Sequence, residues 1–203
     1  MSGPKQLSII LVSIFGIAAC ASTLDSNQPA ERTYWLNPLI MPGATRAGGS
    51  SPSLVVTVAA VPGLDTDRML ILQSGARLNF YQAARWPDNV PEVLESLLRR
   101  SLESTGAYTR VSGGHDERSA DWQLQLEVSE FYTVSTSSVD AGEVRVVLNG
   151  YVNCRNADHA ISLRADANPG SERLSLIVAA HERALHEVSM DLLNQLSQAC
   201  SSD

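Results

Sequence analysis

The chain has 203 residues, 44% of them hydrophobic and 18% charged, with a formal net charge of −7. That length suits one domain with a sizeable core. The 15 basic residues are Lys5 and 14 scattered arginines, so no basic patch exists for nucleic acid, and an acidic surface repels anionic headgroups, leaving membrane attachment to an anchor.

Residues 1–19 have the three-part grammar of a secretory signal: a short polar start with Lys5, an apolar core from Leu7 to Ile17, then Ala18 and Ala19. The apolar core is too short to cross a hydrocarbon layer of ~30 Å as a stable helix. Ile17-Ala18-Ala19-Cys20 resembles the bacterial lipobox. The alternative is a plain signal peptide followed by an incidental cysteine. The lipobox resemblance implies cleavage before Cys20, a diacylglycerol on its thiol and an acyl chain on its new amino group. Two or more chains hold a protein stably where one holds it only marginally. Removing residues 1–19 leaves 184 residues and takes the charge from −7 to −8, because Lys5 goes with them. Residue 21 is Ala, not Asp, which by resemblance to enterobacterial lipoproteins favours the periplasmic face of the outer membrane over the inner membrane.

Residues 20–33 are polar and read as a lipidated tether, followed by one domain over 34–203. Tyr34-Trp35-Leu36 reads as a short strand closed by Asn37-Pro38, and the Gly/Ser/Pro-rich stretch 41–53 as a flexible loop. LVVTVAAV (54–61) suits a strand buried on both faces. MLILQ (69–73) and ARLNFYQ (76–82), separated by Ser74-Gly75, form a hairpin pattern. A helix follows, with Pro87 in its first turn and Val90, Val93, Leu94, Leu97, Leu98 and Leu102 on one face. Asp88 and Glu92 suit its positive end, Glu95 can pair with Arg99, and Gly106 stops it. The segments 122–134, 144–154 and 160–166 read as strands. The first alternates, with Trp122, Leu124, Leu126, Val128 and Phe131 inward and Gln123, Gln125 and Glu127 outward. A long helix from Ser171 to Ala199, striped by Leu174, Val178, His181, Leu185, Val188, Leu192 and Leu196, closes the chain. The expected fold class is α+β, a mainly antiparallel sheet packed by two helices in the order strands, helix, strands, helix.

No catalytic constellation stands out. HERALH (181–186) has the ingredients of a zinc-protease motif, but His181 and His186 are five apart, about 140° around a helix, and do not converge on one ion. His181 falls on the apolar stripe as a hydrogen-bonded core histidine, and His186 should face solvent. SGGHDE (112–117) lacks the Lys-Ser or Lys-Thr of a phosphate loop and reads as a turn with His115 exposed. His159 reads as another turn residue, and no serine stands in G-x-S-x-G or S-x-x-K. These patterns predict no enzyme, no metal and no cofactor beyond the acyl groups at Cys20. With Cys20 committed to lipid, Cys154 and Cys200 remain as an even pair in an oxidising compartment, where a disulfide is the natural reading. The alternative is two independent thiols.

Residues 64–103, LDTDRMLILQSGARLNFYQAARWPDNVPEVLESLLRRSLE, carry a specific likeness. With Tyr34-Trp35-Leu36-Asn37-Pro38, the strand positions Val58, Val61 and Pro62, the turn Leu64, Asp65 and Arg68, and Arg85-Trp86 at the helix entrance, the chain resembles the ABC-type transport auxiliary lipoproteins of the PqiC/YmbA-like family. Spacing is kept from residue 34 to about 111. Beyond that, only the order of elements and the closing helix match. The resemblance implies an accessory role beside MCE- or PqiB-like periplasmic proteins and their ABC permease, which move lipids between two membranes. It also implies docking on that conduit, as a ring of identical subunits in one version. Trp86 and Phe80 read first as core residues, with a partner-facing role as the alternative. Arg77 and Arg85 are weaker candidates for partner contact. The rival reading is a lipoprotein that carries a lipid in an apolar pocket between helix and sheet.

Overall fold

The computed structural model describes residues 30–41, 51–74, 76–114, 120–135, 142–154 and 156–200. Among them are strands β1 (Arg32–Thr33), β2 (Ser53–Ala60), β3 (Arg68–Gln73) and β4 (Arg77–Arg85), then helix α1 (Val90–Ser104). Strands β5 (Arg110–Gly113), β6 (Trp122–Ser135), β7 (Glu143–Cys154) and β8 (Ala157–Ala167) follow, and helix α2 (Leu174–Cys200) ends the order.

The sheet is organised on the long strand β6. One of its edges pairs parallel with β2 along Trp122–Val128 and with β3 along Thr133–Ser135. Its other edge pairs antiparallel with β7, and β7 with β8. Outward from β6, β5 adds to β2, β4 to β3 and β1 to β4. The α+β class with two helices holds, but the sheet is mixed rather than mainly antiparallel. Among the described residues, four strand pairings are parallel (β1–β4, β2–β5, β2–β6, β3–β6) and three antiparallel. Alternation along β6 records which face is covered and is the same for either direction of a neighbour. Direction comes from the connections: the chain leaves β2, passes through the β3–β4 hairpin and α1, and returns to both edges of β2 in the same sense.

Local elements follow their sequence signals with some corrections. Leu54, Val55 and Val56 are consecutively buried, as a central strand covered on both faces requires. In β6, Trp122, Leu124, Leu126, Val128 and Phe131 all point into the core, the step from 128 to 131 being taken up by a bulge at Val128/Glu130. The first helix starts at Val90 with Pro91 and Glu92 in its first turn, so Pro87 lies outside it. Arg99 pairs forward with Glu103 at 3.8 Å, not back with Glu95. Gly106 follows the helix with φ +69, the left-handed position that a helix stop needs. Strand β1 begins two residues before Tyr34, and β5, absent from the expected elements, lies at the start of the SGGHDE segment.

Helix α1 lies over β2 and β5, α2 over β7 and β8, and the two helices meet each other. Between them and the sheet, Trp86 is 1% exposed, its ring 5.6 Å from that of Phe131 and 5.2 Å from that of His181. The solvent side of β6–β8 is a polar ladder. Tyr151 donates to Gln125, Ser162 to Asn149, and Arg145 reaches Glu130, Glu143 and Asp166, with Arg164 also on Asp166.

Candidate functional site

The segment after β1 is not a strand but a strap. The Tyr34 N–H still donates to the Arg85 carbonyl at 2.9 Å, continuing the line of β1. From there residues 35–41 cross both helices. On the α2 side, the Asn37 backbone N–H and side-chain amide both donate to Glu182 Oε1, and His186 Nε2–H donates to the Asn37 carbonyl at 3.2 Å. On the α1 side, the Leu39 N–H donates to Ser101 Oγ at 3.0 Å and the Met41 N–H to Ser104 Oγ at 2.9 Å. Leu36 is buried beneath the strap. Polar groups on two helices thus hold a backbone that has no sheet partner of its own.

This strap turns Trp35 outward, 58% exposed, with the Arg100 guanidinium 5.5 Å from its ring centroid. Beside it lies a surface cleft of about 230 Å³. Trp35, Leu36, Pro87 and Val93 form apolar walls, and Asp88, Glu92 and Arg100 stand among its lining residues. An exposed indole fixed on a pinned backbone beside an apolar notch has the make-up of an interface anchor. Ser96 completes the lining, and an apolar notch rimmed by polar and charged side chains is suited to binding.

The sequence-predicted residues are distributed differently from expectation. Trp86 is a core residue, as its first reading had it, packed against Phe131 and His181, and the alternative of a partner contact falls away. Phe80, expected in the core, is 49% exposed instead. Arg85 donates to Glu31 and, at 2.9 Å, to Asp67, and its bond to the Glu31 carboxylate raises its pKa further. Arg77 is exposed at the start of β4. His181 is 2% exposed, its Nδ1–H donating to the Ile177 carbonyl at 2.9 Å, and burial lowers its pKa to about 4. His186 is half-buried under the strap rather than solvent-facing, and His159 lies in β8, opposite Val152, rather than in a turn. Cys154 and Cys200 are joined by a disulfide, Cα–Cα 5.9 Å, tying the end of β7 to the end of α2. Cys20 and His115 lie outside the described residues. Among the described residues no group of three His, Cys, Asp or Glu side chains could hold a metal ion, and no helix is long and apolar enough to cross a membrane. What the sequence did not reveal is the Asn37–Glu182–His186 cluster, whose members are 145 and 149 residues apart.

The model of the ABC-type transport auxiliary lipoprotein component family matches residues 34–192, from the strap to the third quarter of α2. The chain belongs to this family. Its fold is shared by the crystal structure of an uncharacterized protein, with a TM-score of 0.63 at 13% identity over 83% of this chain and 100% of the other. It is also similar to protein XCC0632 from Xanthomonas campestris, with a TM-score of 0.60 at 20% identity over 85% of this chain and 95% of that one. At these identities the likeness is one of fold. No curated protein matches the chain. The family description makes it an auxiliary lipoprotein component of ABC-type transport.

Proposed function

We propose that this chain is a periplasm-facing lipoprotein of the outer membrane, anchored by acyl groups on Cys20. It serves an MCE- or PqiB-like lipid transport system by docking on the conduit that leads to the ABC permease. Its work is binding, and assembly of several copies into a ring would multiply weak contacts with the conduit. The observation that carries the reading is the strap. The first residues of the family match, Tyr34 to Met41, are pinned to both helices and present Trp35 beside an apolar cleft, where a partner would find a rigid aromatic anchor.

The lipid-carrier reading has less support. The Trp35 cleft, at about 230 Å³, is a notch in the surface, below the ~300–1,000 Å³ of pockets that enclose a drug-sized ligand. Between the helices and the sheet the space is occupied by fully buried side chains, including Leu94, Leu97, Leu98, Leu124 and Leu148.

The test is brief in vivo crosslinking of the full-length protein, followed by purification from its own membranes and identification of what comes with it. Recovery of an MCE-domain protein or its permease, lost on Cys20→Ser and weakened on Trp35→Ala, is the expected result. Recovery of self-oligomers or unrelated envelope proteins alone would sink the transport role.

A further inference from the structure

The outer face of the β3–β4 hairpin is apolar and takes no part in the reading above. The registers Leu70↔Phe80, Leu72↔Leu78 and Leu72↔Val134 set these five side chains on one face of the sheet. It is the face opposite to buried Thr133 and Phe131, and so opposite to the helices. Leu78 is 41% and Phe80 49% exposed. Of β4, only Ala84 and Arg85 pair with β1, which leaves the strand edge from Arg77 to Ala83 without a sheet neighbour among the described residues.

The place where the chain enters the domain indicates what covers this patch. Glu31, immediately before β1, is ion-paired with Arg85 and with Arg68, and the Arg68 guanidinium lies over Phe80, 5.0 Å from its ring centroid. The polypeptide therefore joins the domain one side chain away from Phe80. Cys20 is only eleven residues upstream, a reach of about 40 Å at full extension. The charge of this corner also runs against that of the whole. Strands β1, β3 and β4 carry Arg32, Arg68, Arg77 and Arg85 and no carboxylate of their own, in a chain of net charge −7; Glu31 and Asp67, just before β1 and β3, pair with Arg68 and Arg85, while Arg77 stands exposed at the start of β4 beside Leu78. Exposed leucine and phenylalanine rimmed by arginine is the composition of a surface that seats in the headgroup boundary, with guanidinium groups reaching lipid phosphates.

We propose that the β3–β4 hairpin is a second contact with the membrane that holds the anchor, with Leu78 and Phe80 entering the headgroup boundary and Arg77 meeting anionic lipid. The contact fixes the domain's orientation on the bilayer, leaving the helix and strap side turned away from it. It rests on acylation of Cys20, because two apolar side chains alone would hold the domain only weakly, whereas a short tether keeps the bilayer at high local concentration.

The test uses the full-length protein purified from its own membranes. Intact mass first reports whether Cys20 is acylated; an unacylated protein overturns both the anchor and this contact. The acylated protein is then placed in vesicles of phosphatidylethanolamine and phosphatidylglycerol containing a photoactivatable lipid, irradiated and mapped by mass spectrometry. The expected result is label on peptides covering residues 68–85, lost in a Leu78→Ser/Phe80→Ser variant whose acylation and thermal unfolding match the parent. Label confined to the tether peptide, or hairpin label that persists in the variant, overturns the contact and leaves the anchor standing. Crosslinks joining two copies through residues 77–83, with the hairpin free of lipid label, would overturn it in favour of a second copy.

Discussion

Replacing His181 by leucine should change how stability depends on pH, in a direction the structure specifies. His181 is buried among Trp86, Phe131 and Ile177, and its Nδ1–H hydrogen bond to the Ile177 carbonyl, which favours the protonated ring, is outweighed by the cost of burying a charge. Desolvation lowers its pKa to about 4, against 6.5 for an ordinary histidine. Between these two values the unfolded chain binds a proton that the folded chain does not, so stability falls as pH drops from about 6.5 and levels off below about 4. A gap of about 2.5 pH units corresponds to about 3 kcal/mol at 1.36 kcal/mol per unit. In His181→Leu the volume is nearly kept, and the Ile177 carbonyl still has its helical partner. Urea unfolding of the oxidised full-length protein at about pH 7, 5.5 and 4.5 measures the difference between variant and parent. That difference should move in favour of the variant by about 2 kcal/mol or more across the range. A difference that stays constant with pH would mean that His181 is not held neutral in the core, and the account of this site would be wrong.

Three further outcomes are expected. Reducing the Cys154–Cys200 bridge, or replacing Cys154 by serine, opens a closure of 46 residues and should cost roughly 4 kcal/mol in the chain-entropy model, read as a fall in the urea midpoint that oxidant restores only in the parent. Trp86→Ala should cost about 3–5 kcal/mol and act on partner recovery only through folding, whereas Trp35→Ala should leave thermal unfolding almost unchanged and reduce crosslinked partner. Gly150→Ala should destabilise by about 2 kcal/mol or more, because a Cβ there would collide with the Gln125 carbonyl and lie 2.9 Å from the Leu126 Cα across the β6–β7 ladder; calorimetry that finds the two proteins equal would show that β6 can yield.

Much of the fold was legible because it is written in short-range periodicity. The 3.6-residue stripe of α1, the alternation in β6, the consecutive apolar residues of β2 and the hairpin break after Gln73 each depend on neighbours a few residues away. The family likeness rests on the same kind of information, an ordered run of spaced residues from Tyr34 onward, and the family match covers 34–192. Strand direction was not legible. The pleat has the same period whichever way a neighbour runs, and the parallel return of β5 and β6 to β2 is decided by where α1 delivers the chain.

The site divided along the same line. That Trp35, Phe80 and Trp86 are large and apolar is a property of the sequence, and so is the tight spacing of Arg85 and Trp86 before a helix. Which of the three is buried is not. Trp86 is covered because α2, almost a hundred residues later, brings His181 against it, and Trp35 is exposed because Asn37 is held by Glu182 and His186 from that same helix. Hydrophobicity ranks side chains by what burial would return, but a core has room only for those that the packed elements surround. Local pattern therefore determined the elements of this protein, and the packing of α2 against the sheet and strap decided which aromatic became core and which became surface.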